Sequence, residues 1–96
     1  MIKVKVTEKI ISILGHANYD EYGKDIVCAA VSSIVMCSVE AISKFDINAV
    51  DINQEKDKLE IIINKTDDTT NKLVNNMLDC LKELEKKYPK NIKINW

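Results

Sequence analysis

Residues 1–14 are Met1-Ile2-Lys3-Val4-Lys5-Val6-Thr7-Glu8-Lys9-Ile10-Ile11-Ser12-Ile13-Leu14, and their pattern sets a sheet at the start of the chain. Ile2, Val4 and Val6 alternate with Lys3, Lys5 and Thr7, the period-2 pattern of a strand with one buried face. After the polar break at Glu8–Lys9, residues Ile10 to Leu14 are rich in β-branched side chains and too few for a helix. The pair predicts a β-hairpin, although Glu8-Lys9 lacks the Asn-Gly or Asp-Gly chemistry of the tightest turns.

Moving outward, residues from Gly15 to Tyr22 show no period and read as a loop, and a helix is expected from about Gly23 to Ser43. Its apolar stripe is Val27, Val31, Ile34, Ser38, Ala41 and Ile42, widened by Ile26, Ala30 and Cys37. A helix this apolar around its circumference should be buried on more than one side, part of that cover being a second subunit. Asn48–Asn53 and Lys58–Asn64 read as strands joined by a Gln54–Asp57 turn. Thr66 or Asp67 caps a second helix with Leu73, Met77, Leu81 and Leu84 inward, and Pro89 stops it after Tyr88. Ile92, Ile94 and Trp96 form a last strand. The expected architecture is α+β, in the order ββαββαβ, with a mostly antiparallel sheet and two helices packed on it. Residues 1–96 make one domain.

Composition narrows the function classes. Fourteen cations, all Lys, against fifteen anions leave a net charge of −1, so no strong field points at nucleic acid or anionic lipid. The absence of Arg removes the planar fork used to read phosphate and guanine, and nucleic acid is not expected as a partner. The weakly polar run Ile26–Val39 is shorter than the roughly 20 residues that span a bilayer, so no membrane association is expected. Cys28, Cys37 and Cys80 are odd in number and lack CxxC spacing, which suits a cytoplasmic, reduced protein without disulfides. With one histidine and scattered cysteines, neither a metal nor another cofactor is expected.

The chain's two glycines, Gly15 and Gly23, flank the segment that carries its one histidine, His16. Cys28 follows in the second turn of the expected helix, close enough for the loop to fold His16 over the thiol. A thiolate nucleophile beside an imidazole acting as general acid or base is one reading of this pair. The other makes Cys28 a small core residue and His16 a surface one. Asp25, one turn before Cys28, either orients His16 or favours the helix N-terminus as a first-turn acid. Ser32, one turn after, is placed to hydrogen-bond the thiol or a substrate. Tyr19 and Tyr22 either anchor the loop or form a lip over substrate, and Gly15 and Gly23 read as its hinges. Amides around Gly23–Lys24 are the expected oxyanion donors.

Gly15-His16-Ala17 followed by Tyr22-Gly23-Lys24-Asp25-Ile26-Val27-Cys28-Ala29-Ala30-Val31-Ser32 closely resembles the signature of the ribosomal-processing cysteine protease family Prp. Tyr88-Pro89 and Ile92-Lys93-Ile94 resemble the end of that family. The resemblance implies a catalytic dyad of His16 and Cys28 and a homodimer. It also implies that the substrate is the N-terminal extension of the twenty-seventh large-subunit ribosomal protein, cut after an aromatic pair. The alternative function is a non-catalytic dimeric module that binds a ribosomal protein or assembly intermediate.

Overall fold

The computed structural model describes residues 1–17, 19–21 and 24–96. The chain runs β1 (Ile2–Val6), β2 (Ile10–Leu14), α1 (Ile26–Phe45), β3 (Val50–Glu55), β4 (Lys58–Ile63), α2 (Asp68–Lys87) and β5 (Ile92–Asn95), the expected ββαββαβ. One five-stranded sheet is ordered β3-β4-β2-β1-β5. Its pairings are antiparallel except that of β1 with β5, which is parallel.

The β1–β2 turn closes without glycine because Thr7 does the work twice. Its hydroxyl accepts from the Ile10 amide at 3.1 Å, and its own amide donates to the Ile10 carbonyl at 3.0 Å. The second hairpin is tighter than expected: Gln54 pairs with Leu59 and Glu55 with Lys58, leaving Lys56–Asp57 as the turn. Asp57 takes the left-handed residue of that turn at φ 62°, a conformation that Asp tolerates better than most side chains. β3 begins at Val50 and not at Asn48, because Asp46 ends α1 and draws the Asn48 amide onto its carboxylate at 3.0 Å.

Register places Ile2 and Val4 beside Ile92 and Ile94, Ile13 beside Val4, and Ile61 beside Ile11, so one sheet face is continuously aliphatic. Both helices cover that face and pack on each other. The buried stripe of α1 is Val27, Val31, Val35, Val39 and Ile42, rotated from the expected one, which left out Val35 and Val39. In α2, Val74 and Leu78 join Met77 and Leu81 in the core, while Leu73 and Leu84 pack at its margin. Asp67 caps α2 through the Thr70 amide and hydroxyl.

Burial of α1 is one-sided in the isolated chain: Ile26 is 53% and Met36 44% exposed. The helix ends at Phe45, close to the expected end near Ser43, and so is longer than the weakly polar run Ile26–Val39. Twenty residues at about 1.5 Å each reach the thickness of a bilayer core. Length therefore does not separate α1 from a membrane span. Its valine stripe does locate one face, in the core against the sheet and α2.

Candidate active site

Leaving β2, the backbone turns at Gly15, whose φ of +84° is in the left-handed region. A Cβ there would stand 2.9 Å from the Met1 carbonyl oxygen, so both conformation and space demand glycine. The Gly15 amide donates to the Asp57 carbonyl at 2.9 Å. The next side chain, His16, sets its Nε2 2.6 Å from Asp57 Oδ1. Ala17 is then buried, its amide donating to Cys28 Sγ at 3.3 Å and its carbonyl accepting from Asn91 Nδ2 at 2.9 Å. Residues 15–17 are thus strung between the tip of the β3–β4 hairpin, the start of α1 and the entry to β5.

Asp25 shapes the other wall. Its Oδ1 accepts from the Val27 and Cys28 amides, both at 3.0 Å, and its Oδ2 from the Tyr19 amide at 3.1 Å. Desolvation pushes its pKa up, but backbone hydrogen bonds from Cys28, Tyr19, Asp20 and Val27 outweigh that and hold the carboxyl below its ordinary value. Asp25 is therefore the N-cap of α1, outside the helix, and not a first-turn acid within it. Only from outside does an Asp side chain reach back to the free first-turn amides. The helix accordingly starts at Ile26 and not near Gly23, which moves Cys28 from the second turn into the first. The carboxylate bound to His16 is Asp57, not Asp25.

His16, Cys28 and Ser32 line one cleft of about 250 Å³ with Gly15 and Asp57. Ile2, Ile13, Val31, Val35 and Leu59 supply its apolar wall, and Gln54, Glu55 and Lys58 complete the polar side. That volume has room for side chains of a bound peptide. Ser32 stands one helical turn beyond Cys28 on this wall. Tyr19 is half exposed, and its ring meets Tyr88 edge-on at 5.4 Å, which ties the loop to the end of α2. The expected lip and hinge residues Tyr22 and Gly23 lie outside the described residues. Of the expected oxyanion donors, Gly23 lies there too, and the Lys24 amide is engaged by the Glu21 carbonyl at 3.0 Å.

Sequence reasoning missed Asp57, Asn91 and Tyr88 as parts of this region. Asp57 carries a signal for a turn, but none for a partner 41 residues earlier. The contact from Asn91 to Ala17 spans 74 residues and has no local signature at all.

Nearly the whole chain is similar to known proteins in sequence and in fold. A family model described as Cysteine protease Prp matches residues 1–93. The ribosomal processing cysteine protease Prp of Staphylococcus aureus is 36% identical over 95 residues, covering 96% of this chain and 88% of that protein. The protein of the same name from Mycoplasma genitalium is 33% identical over 97 residues, covering 99% of this chain and 95% of its own. A crystal structure of an essential ribosomal processing protease Prp from S. aureus, with a covalently linked product peptide, superposes with a TM-score of 0.85. Sequence identity to that structure is 30%, and the match covers 98% of this chain and 95% of the other. With the match extending from β1 into β5, the chain belongs to the cysteine protease Prp family and is a cysteine protease.

Proposed function

We propose that this protease processes a ribosomal protein by removing its N-terminal extension, with Cys28 as nucleophile and His16 as its acid–base partner. The observation that carries the reading is the shared cleft: the amide after His16 points at Cys28 Sγ, and both side chains line the same cleft. Cys28 Sγ, as thiolate, attacks the scissile carbonyl carbon, and the C–N bond breaks as protonated His16 gives its proton to the leaving amine. Water then adds to the thioester with His16 as base, releasing the carboxylic product and restoring the thiol. The peptide runs along the free edge of β3, where Gln54 and Glu55 border the cleft, and its aromatic side chains enter the aliphatic wall. The proposed substrate is the twenty-seventh large-subunit ribosomal protein, cut after an aromatic pair, in the cytoplasm. A second copy covers the exposed apolar side chains Ile26 and Met36 of α1, giving a homodimer.

The test is incubation with a peptide containing an internal Phe-Phe, followed by mass spectrometry, for the native protein and for Cys28→Ala and His16→Ala. Cleavage after the pair by the native protein, lost in Cys28→Ala with the fold retained, is expected. Cleavage retained in Cys28→Ala ends the assignment, and binding without cleavage by the native protein favours a non-catalytic module.

A further inference from the structure

The cleft contains a third polar group that the proposed dyad does not use. Asp57 makes two contacts to consecutive residues: its carbonyl accepts the Gly15 amide, and its carboxylate meets His16 Nε2. It sits in a two-residue turn closed by the Glu55–Lys58 pair, so the carboxylate is presented from a short, hydrogen-bonded hairpin tip. The side chains of His16 and Asp57 are 57% and 49% exposed, and a pair so open to water contributes little to stability. What the pair does supply is orientation. A carboxylate on Nε2 favours the imidazole tautomer with its proton there, leaving Nδ1 as the acceptor.

We propose that Asp57 is a positioning residue for His16: it holds Nε2–H so that Nδ1 is the atom that exchanges a proton with Cys28 Sγ. The inference rests on the pairing of His16 with Cys28 put forward above. In the first step the Sγ proton passes to Nδ1, the imidazolium keeps its Nε2–H on Asp57, and the carboxylate stays ionised throughout. The same proton leaves from Nδ1 to the departing amine, so no co-reactant is needed.

The experiment follows iodoacetamide alkylation of Cys28 at pH 7, resolved by site with mass spectrometry, so that exposed Cys37 and Cys80 serve as internal controls. Native protein is compared with His16→Ala, Asp57→Asn, Asp57→Gly and the double variant His16→Ala/Asp57→Asn. Asn keeps the side-chain size and Gly accepts the left-handed turn, so at least one variant preserves the hairpin. Thermal melts check the fold of each. Expected is a loss of about 10-fold in Cys28 alkylation in both Asp57 variants, with no change at Cys37 or Cys80. The double variant should be no slower than His16→Ala alone, because Asp57 acts through His16. Native rates in both folded Asp57 variants, with His16→Ala slowed, overturn the role of Asp57 and leave the Cys28–His16 pairing standing. Additive losses likewise overturn it, since they show an effect that bypasses His16. A native rate in His16→Ala removes the pairing itself, and the positioning role with it.

Discussion

Replacing Gly15 with Ala tests whether the backbone beside His16 is held as tightly as the structure shows. At φ +84° an L side chain costs about 1–2 kcal/mol against glycine. The added Cβ also falls 2.9 Å from the Met1 carbonyl oxygen, closer than Cβ contacts normally come, so something must move. Met1 itself is 41% exposed, but its carbonyl is not free to swing. The next amide, that of Ile2, donates to the Asn91 carbonyl at 2.8 Å, and Ile2 is buried. Taking about 2 kcal/mol for the two effects together, a domain of this size should lose about 8–16 °C in Tm. Differential scanning calorimetry of Gly15→Ala measures the loss. Gly15→Asn separates its sources: Asn tolerates the left-handed region, so it should recover part of the backbone cost while keeping the clash. A Tm for Gly15→Ala within about 2 °C of native would mean that neither the backbone cost nor the clash is present. Equal losses in the Ala and Asn variants would assign the cost to the Met1 contact alone. The peptide-cleavage rate of Gly15→Ala, measured well below its Tm, should fall as well, because the turn sets the direction in which His16 leaves β2.

Three further outcomes are expected. Leu81→Ala removes a fully buried side chain between α2 and the sheet and should cost about 3 kcal/mol in urea-unfolding free energy; a loss below about 1 kcal/mol would contradict its place in the core. Asn91→Ala leaves the Ala17 carbonyl without its side-chain donor and should cost about 1 kcal/mol while slowing Cys28 alkylation, whereas an unchanged alkylation rate would show that the amide facing Sγ is held without Asn91. For Asp67, the Thr70 hydroxyl and then the Thr70 amide lower its pKa from the ordinary 3.8 and outweigh desolvation. Its stabilisation is then fully present above pH 3.8 and is lost as pH falls through the lower folded-state value, so Asp67→Asn should flatten the acid limb of the stability curve below pH 3.8 and an unchanged limb would contradict the cap.

The fold was legible in sequence wherever it rests on periodicity. Ile2, Val4 and Val6 alternate strictly, and Asp67 and Pro89 mark the ends of α2, so these elements fall close to where they were expected. The stripe of α1 was harder because its apolar residues surround the axis: Ile34 and Val35 are equally plausible inward residues until the sheet selects Val35. Gln54 and Glu55 look like turn residues by polarity, yet they extend an edge strand whose exposed side chains need not be apolar. In the candidate site, His16 stood out as the one histidine, between two glycines, whereas Cys28 was set apart from Cys37 and Cys80 by the resemblance to the Prp signature. Asp57 did not stand out, since a turn aspartate has an ordinary local reason to be there. Of the two roles expected of Asp25, service to the helix N-terminus holds, as a cap and not as a first-turn acid, because the two look alike until the first-turn amides have been assigned their acceptors; the carboxylate on His16 is Asp57.

The stringing of residues 15–17 between distant elements has a consequence for the order in which the site is braced. Ala17 is held by Cys28 on one side and by Asn91 on the other, and the turn before it abuts Met1 and is bonded to Asp57. β1, which begins beside Met1, is in turn an edge strand until β5 pairs with it. The Asn91 side chain that fastens Ala17 lies 74 residues further along the chain, so the cleft lining, complete by Leu59, is made well before the contact that braces the backbone facing Cys28.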